Sequence, residues 1–278
     1  MVRQSINQPM VRLIAKERAE DKPAEDCTVA RVIANWGDEK TGKTTFALTA
    51  PKPIFHCDFD LGIERVLYRF KGEAIESVPY AIPIQLSKRI TGVKEVWKKL
   101  VEDYTDVLQD KRKYEDKTPF QTIVFDTGTQ QYEICRLGFL QERQETKPDK
   151  QTLDPIEYAE PYARMKSMIY GARQYKKNLI ITHYSADEYA PKLIDSQLKD
   201  VKTGKTRMDG FRLTEGLVDT VLYNYRVDAD PYAKPNPTLT TMHGIVTLSG
   251  LHIRLAGIRF EDPTFTKLEE ALAMLFGE

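Results

Sequence analysis

Residues 37 to 45 carry side chains suited to holding the phosphates of a nucleotide. They follow the pattern G-x-x-x-x-G-K-S/T and are, in order, Gly37, Asp38, Glu39, Lys40, Thr41, Gly42, Lys43, Thr44 and Thr45. The glycines allow unusual backbone angles and a close approach of backbone N–H groups to phosphate. The lysine neutralises phosphate charge, and the threonine after it is a magnesium ligand. The segment therefore predicts binding of ATP with Mg²⁺, with Lys43 in catalysis and Thr44 on the metal.

A carboxylate that could serve the same nucleotide ends a short apolar run further along the chain. Asp126 follows Thr122–Phe125, which reads as a buried strand. P-loop enzymes place an acid at the end of such a strand, so we predict that Asp126 is catalytic and holds Mg²⁺ through water. Alternatively, Asp126 caps the helix that begins near Gln130. Both roles are compatible.

Hydrolysis also needs a group that orients the attacking water. Asp60 lies at the end of the strand that follows the phosphate loop and its helix, and we predict this role for it. Asp58 and Glu64 are the second-choice candidates for the same role. The competing interpretation is that Asp60 is an ordinary turn residue beside Gly62.

Two polar residues end a third apolar run, Asn178–Ile181. Such a strand end is where this kind of site detects the γ-phosphate, so Thr182 and His183 are candidate sensors, with His183 in catalysis. The alternative is a histidine that only forms a hydrogen bond in the core. No second ligand stands at metal-binding spacing, so the sequence does not predict a metal on His183.

An alternation of strands and helices must position these residues. The strand Thr28–Asn35, the helix Lys43–Thr49 and the strand Ile54–Phe59 predict a βαβ unit around the phosphate loop. Further strands are predicted at Tyr80–Leu86, Thr122–Phe125, Asn178–Thr182, Val218–Val227, Thr238–Leu248 and Ile253–Phe260. Further helices are predicted at Val93–Leu108, Gln130–Arg143, Ile156–Tyr175 and Phe265–Phe276. The segment Gln197–Arg207 is predicted to be an exposed hairpin tip or loop.

Length and composition favour one α/β domain over residues 27–278, preceded by a flexible polar arm at 1–26. The 41 basic and 41 acidic side chains cancel, so the whole molecule does not steer toward nucleic acid or an acidic partner. Three scattered cysteines argue against a disulfide framework or a structural zinc site. No apolar run approaches the roughly 20 residues that span a bilayer. We therefore expect a cytoplasmic protein that does not enter a membrane.

The chain resembles the RecA-like P-loop ATPases of bacteriophages, a group of AAA-type ATPases that includes ATP-dependent single-strand annealing proteins. The resemblance spans about residues 28–226. It rests on the phosphate loop and on the short motifs His56-Cys57-Asp58-Phe59-Asp60-Leu61-Gly62, Thr122-Ile123-Val124-Phe125-Asp126-Thr127, Ile180-Ile181-Thr182-His183 and Leu217-Val218-Asp219-Thr220-Val221.

Two departures from the group's pattern concern the residues predicted for catalysis. Relatives usually have a glutamate followed by glycines where this chain has Asp60-Leu61-Gly62, and a further glycine where the loop has Glu39-Lys40. A carboxylate on the shorter side chain of Asp60 would weaken or relocate the water-positioning role.

The resemblance implies a RecA-like P-loop core: a mostly parallel sheet flanked by helices, with an antiparallel β addition near the C-terminus. It also implies ATP hydrolysis coupled to single-stranded DNA binding in recombination, annealing or replication. The group assembles into homo-oligomeric rings or filaments, which makes Lys205 and Arg207 candidates for a basic finger that reaches the neighbouring subunit. A single-strand binding protein is a further expected partner, and a phage-encoded protein would act in the cytoplasm of the host cell. The candidate DNA contacts are Tyr184, Tyr189, Lys199 and Lys202.

Three alternatives stay open for the same core. They are a helicase-like DNA motor, a noncatalytic binding module gated by nucleotide, and a small-molecule kinase. The dispersed arginines disfavour the kinase, for which an arginine-rich lid would be expected. A GTPase is disfavoured because the chain has no NKxD stretch for guanine selection.

Overall fold

The computed structural model describes residues 30–194, 197–228 and 240–276. The predicted arm at 1–26, Cys27 and the first residues of the predicted strand Thr28–Asn35 lie outside the described residues. The division into arm and domain therefore stays a prediction. The helices described are α1 (Lys43–Leu48), α2 (Glu64–Leu67), α3 (Val93–Leu108), α4 (Gly128–Thr146), α5 (Ala159–Gln174), α6 (Thr214–Leu217) and α7 (Phe265–Phe276). Short 3₁₀ turns occupy Tyr68–Phe70, Pro155–Tyr158 and Ile253–Leu255.

Most of the strands belong to one sheet. The strands are β1 (Val32–Gly37), β2 (Ile54–Asp58), β3 (Ile75–Pro79), β4 (Lys113–Tyr114), β5 (Thr118–Pro119), β6 (Thr122–Asp126), β7 (Asn178–Ile194), β8 (Gln197–Met208), β9 (Thr220–Asp228), β10 (Thr240–Ser249) and β11 (Arg259–Glu261). The order across the sheet is β11-β10-β9-β1-β7-β6-β2-β3, and β8 pairs with β7.

The central strands are parallel, whereas β9-β10 and β10-β11 are antiparallel. The predicted fold class is therefore confirmed: a P-loop α/β sheet, mostly parallel, flanked by helices and extended by antiparallel strands near the C-terminus. Central strands such as β1 and β6 are buried on both faces, which explains their nearly continuous apolar sequence.

The two faces of the sheet have separate cores. Ile33, Val124 and Ile180 pack with Phe46 of α1 and with α7 on one face. Ile123, Leu179 and Ile181 pack with α3, α4 and α5 on the other. Because side chains alternate along a strand, each residue at a strand end is assigned to one of these faces.

Helix α3 has the predicted bounds because its buried residues recur at helical spacing, at Val93, Trp97, Leu100, Tyr104 and Val107. Helix α4 begins earlier than predicted. Its cap is Thr127, whose side chain accepts a hydrogen bond from the Gln130 backbone N–H at 3.3 Å. Asp126 is therefore not the cap of this helix. No helix of the described residues is long and apolar enough to cross a membrane.

Two predicted strands are wrong. Tyr80–Leu86 is irregular, and the strand lies just before it, at β3, a sheet edge. Pro83 lacks the N–H group that would continue the pairing. Ile253–Phe260 contains a 3₁₀ turn, and only β11 is extended. Gly257 lies between them at φ +91°, a left-handed conformation that interrupts a strand.

Strand β7 runs beyond its predicted end at Thr182 and pairs with β8 in a long antiparallel extension. We call this extension the β7-β8 arm, or simply the arm, as distinct from the predicted N-terminal arm at 1–26. The stretch from Lys202 to Lys205, predicted at a hairpin tip, lies instead within β8. The register there is irregular, because Asp187 pairs with Thr206 while Tyr189 pairs with Lys202. Gly204 at φ +80° accommodates the extra residues. Residues 195 and 196 lie outside the described residues.

Candidate functional site

The phosphate loop leaves β1 at Gly37 and enters α1 after Gly42. A side chain at residue 37 would place its Cβ 2.2 Å from the backbone oxygen of Asn224 on the neighbouring strand, so only glycine fits. Gly42 has φ +86°, which favours glycine as well. Lys40 also has a positive φ, at 60°. The two glycines of the pattern are therefore required by the local backbone.

Lys43 is the first residue of α1, and its side chain folds back into the loop. It is 7% exposed, and its ammonium donates to the backbone oxygens of Gly37 at 2.9 Å and Asp38 at 2.6 Å. Burial lowers the pKa of this lysine, while nearby carboxylates, Asp126 foremost, oppose the shift. The ring of Tyr184 lies 5.2 Å from the ammonium. When a nucleotide binds, its phosphate oxygens can replace the two carbonyl oxygens as hydrogen-bond partners while the Lys43 ammonium stays in place.

Asp126 is the centre of a hydrogen-bond network beside the loop. Its Oδ2 accepts from the Thr44 hydroxyl at 2.7 Å and lies 3.4 Å from Nε2 of His56, and its Oδ1 accepts from the Thr182 hydroxyl. His56 is fixed in turn by Ser77, 3.0 Å from its Nδ1. Parallel pairing explains the convergence, because neighbouring strands end at the same edge of the sheet.

The same network sets the ionisation of Asp126. Burial alone would raise its pKa, but the hydrogen bonds from His56, Thr182 and Thr44 outweigh burial and lower it. Asp126 is therefore a carboxylate at neutral pH. His56 was not predicted from the sequence, because a histidine within an apolar strand gives no functional signal.

The donor atoms at this point suit Mg²⁺. Thr44 and Asp126 offer a hydroxyl and a carboxylate oxygen, and hard oxygen ligands are those that Mg²⁺ prefers. Among the described residues no group of three or more His, Cys, Asp or Glu could hold a metal alone. Mg²⁺ usually binds through one or two protein ligands together with phosphates and water, so the residues present fit this ion.

Asp60 lies at the rim of the site and is held by two hydrogen bonds. Its Oδ2 accepts from the Tyr184 hydroxyl at 2.5 Å, and its Oδ1 accepts from the Gly62 N–H at 3.1 Å. Asp60 therefore stabilises the turn beside Gly62 and also lies in the candidate site. Asp58 is more buried and accepts from the N–H groups of Gly62 and Ile63, and burial raises its pKa. Glu64 is exposed and does not line the cavity.

Thr182 and His183 lie on opposite faces of the sheet. Thr182 follows Ile180 on the α1 face and binds Asp126, in keeping with a sensor. His183 follows Ile181 on the α4 face, where its Nδ1 donates to the Asp209 backbone oxygen at 2.8 Å. Burial lowers its pKa to about 4. The predicted sensor and catalytic roles of His183 do not fit this position, which corresponds to a neutral core histidine.

The loop opens into a cavity of about 660 Å³. Seven of the nine predicted nucleotide-binding residues, Lys43 among them, meet there with Asp60 and Asp126, whereas Gly37, Asp38 and the remaining catalytic candidate His183 do not line it. Thr45 lies in α1 with Thr44, and Asp38 is bonded by the Ser185 hydroxyl. Sequence reasoning missed further lining residues, Arg65, Arg69, Met242, Asp262 and Pro263, which come from segments with no motif.

The remaining predicted residues lie away from this cavity, except Tyr184, whose ring and hydroxyl belong to it. Tyr189 is 59% exposed on the arm. Lys199 is exposed opposite Lys192, and Lys202 forms an ion pair with Asp187 at 2.7 Å. Lys205 is exposed, and Arg207 lines a different cleft.

A family model described as AAA domain matches residues 30–245, which include the phosphate loop, Asp60 and Asp126. A search of curated proteins gave no match. One matching solved structure is the KaiC-like protein of the hyperthermophilic archaeon Pyrococcus horikoshii OT3, at 11% identity over 83% of this chain and 84% of that chain, with a TM-score of 0.44.

Proposed function

The chain belongs to the AAA-domain family of P-loop ATPases, and from this premise we propose that it hydrolyses ATP and couples hydrolysis to binding of single-stranded DNA. The observation that carries the ATPase part is the contact of the Thr44 hydroxyl with Asp126 beside the buried Lys43. These are the groups that a P-loop enzyme uses for magnesium and for the outer phosphates.

In the proposed mechanism, the Lys43 ammonium exchanges the carbonyls of Gly37 and Asp38 for phosphate oxygens. Thr44 would hold Mg²⁺ directly and Asp126 through water. When bound, the ion neutralises charge that develops on the phosphates. Asp60 accepts a hydrogen bond from the attacking water and so aims its oxygen at the γ-phosphorus. The water oxygen bonds to that phosphorus as the bond from phosphorus to the β,γ-bridging oxygen breaks, and the proton lost by the water passes to the released phosphate, which leaves ADP and phosphate as products. Tyr184 holds Asp60 in place through its hydroxyl.

The DNA part rests on the arm formed by β7 and β8. The arm continues the strand that carries Thr182 and Tyr184, so its base touches the phosphate loop through Ser185 and Asp38. Its outer part exposes Tyr189, Lys192 and Lys199, side chains suited to bases and phosphates. We further propose a homo-oligomer of the phage recombination or replication type, with Lys205 as a candidate basic finger toward the neighbouring subunit.

The test is phosphate release from ATP by the purified protein, with and without single-stranded DNA. Lys43→Ala is the blank, and we expect at least a 100-fold loss of turnover because a preorganised charge at the phosphates is removed. Lys71→Ala removes the same charge from an exposed position that does not line the cavity and is the matched control.

Each outcome separates the candidate functions. Turnover that rises with single strands and disappears with Lys43→Ala supports the proposal, and an unwinding assay then distinguishes a helicase-like motor from annealing. Turnover indifferent to nucleic acid contradicts the DNA part. Tight ATP binding without turnover contradicts the enzyme and supports a nucleotide-gated module, and phosphate transfer to a small molecule supports a kinase.

A further inference from the structure

A second cavity, of about 600 Å³, lies on the α4 face of the sheet and shares no lining residue with the phosphate-loop cavity. We call it the arginine cleft. It is formed by the first turns of α4, the start of α5 and the segment that follows β8. Its lining contains three arginines and two acidic residues beside three tyrosines: Arg136, Arg207, Arg212, Glu133, Asp209, Tyr132, Tyr158 and Tyr162.

The segment after β8 is fixed firmly against α4. Gly210 has φ +98°, and a Cβ there would lie 2.9 Å from the Cα of Thr129, so the contact requires glycine. Phe211 is buried, with its ring centroid 5.8 Å from that of Tyr132 and 5.3 Å from that of Tyr162. The backbone oxygen of Asp209 accepts from Thr129 and from His183. The cleft is therefore a built feature of the fold.

The arginines of the cleft differ in how their charges are compensated. Arg136 forms a two-bond ion pair with Glu133, at 2.5 and 3.0 Å. Within the part of the chain that the structure describes, neither Arg207 nor Arg212 forms an ion pair. Arg207 makes one hydrogen bond, to the Met208 backbone oxygen at 3.3 Å. Two guanidinium groups thus remain available to an anion in a protein whose net charge is zero.

Three tyrosine rings stand beside these cations. Tyr162 lies 6.1 Å from Tyr132 and 6.3 Å from Tyr158 between ring centroids, and all three are half-buried. Aromatic rings next to guanidinium groups suit a ligand that alternates flat bases with phosphates. An acidic peptide would use the arginines but has no flat bases to stack on the rings.

We propose that the arginine cleft binds the phosphodiester backbone of single-stranded nucleic acid, with Arg207 and Arg212 on phosphates and the tyrosines beside the bases. The proposal rests on single-stranded DNA binding as the proposed function, and it places a DNA contact outside the β7-β8 arm. The cleft is linked to the ATP site, because Thr129 donates to Asp209 in the cleft and accepts from the N–H of Tyr184, whose side chain binds Asp60.

The experiment is a titration of the protein with fluorescently labelled oligothymidine, read as anisotropy, over a range of salt concentrations. The double variant Arg207→Ala, Arg212→Ala is compared with the wild type. We expect affinity at low salt to fall about 10- to 100-fold, and the slope of log K against log salt to decrease by about 1.4, since each phosphate contact on a single strand contributes about 0.7.

The matched control is the double variant Arg254→Ala, Arg259→Ala. It removes the same charge from exposed positions that line neither cavity, so it should leave both affinity and slope near wild-type values. Melting temperatures verify that the variants fold. If the cleft variant does not fold, Arg212→Ala alone, at an exposed residue, gives about half the change in slope.

The outcomes distinguish the cleft from the proposed function. Wild-type binding that the cleft variant retains unchanged overturns the cleft while the DNA function stands. Equal losses in the cleft and control variants indicate nonspecific electrostatics and also overturn it. No binding by the wild type overturns the DNA function together with the cleft. Displacement of oligothymidine by polyglutamate at lower concentration than by unlabelled oligothymidine would assign the cleft to an acidic peptide.

Discussion

The phosphate-loop cavity and the arginine cleft lie on opposite faces of one sheet and balance their charges in opposite ways. In the phosphate-loop cavity, Lys43 is buried near several carboxylates, and both carboxylate oxygens of Asp126 accept hydrogen bonds. In the arginine cleft, two guanidinium groups have no ion-pair partner among the described residues. A site for a nucleotide with its metal needs both signs preorganised, whereas a site for a polyanion needs uncompensated cations.

The two regions meet at the base of the β7-β8 arm. Thr129 follows the strand that carries Asp126, and its hydroxyl joins Tyr184 on one side to Asp209 on the other. Tyr184 thus has its backbone bonded toward the cleft and its side chain in the ATP site. The following predictions test what separates the two regions and what joins them.

The largest effect is expected from Asp126→Asn, which breaks the charge balance of the phosphate-loop cavity. The amide is neutral, and its NH₂ would face the hydroxyls of Thr44 and Thr182. We expect turnover to fall about 100- to 1,000-fold, with a higher Mg²⁺ requirement. Phosphate release across a magnesium titration measures both. Asp149→Asn, at an exposed residue that does not line the cavity, is the control. Wild-type magnesium dependence in Asp126→Asn would contradict the assignment.

The next effect concerns His183, which lies between the two regions as a neutral core residue. Its folded pKa of about 4 is below the unfolded value of 6.5, so the unfolded state binds the extra proton and stability falls as the pH drops through that window. The loss between pH 7 and pH 4.5 amounts to about 2–3 kcal/mol.

Asn at residue 183 offers an N–H near the position of Nδ1 and does not titrate. His183→Asn should therefore lose less stability than the wild type over the same window, as measured by urea unfolding at each pH. The raised pKa of Asp58 acts in the opposite direction in both proteins, so it cancels in the comparison. Parallel pH profiles for the two proteins would show that His183 is not held neutral.

The smallest effect is expected from Tyr184→Phe, which removes the hydroxyl that connects Tyr184 to Asp60 in the ATP site. The ring stays over Lys43, but Asp60 loses the hydroxyl that holds it. We expect turnover to fall about tenfold, with ATP binding nearly unchanged, as for a general base that is present but less well oriented. Tyr189→Phe, on the exposed arm, is the control. Unchanged turnover would indicate that Asp60 does not orient the water.

Motif-bearing residues of the site were predictable from the sequence to different degrees. The phosphate loop is one contiguous pattern in which each residue type has a single physical reason, and Asp126 follows from its place after a buried run. Thr182 and His183 looked equivalent as neighbours at a strand end, yet alternation puts them on opposite faces. His56 gave no signal because its partner Asp126 is distant in the chain and near only through strand pairing.

The sequence by itself determined the α/β class, the strand-loop-helix around Gly37 and Lys43, and the bounds of α3, because local periodicity and backbone requirements are written in consecutive residues. Only the tertiary structure decided what Tyr184 touches, where the Lys202–Lys205 stretch lies, and that Arg136, Arg207 and Arg212 share a cleft. These depend on strand order, register and the face that each residue occupies. Such relations arise between segments far apart in the chain, and no spacing in the sequence encodes them.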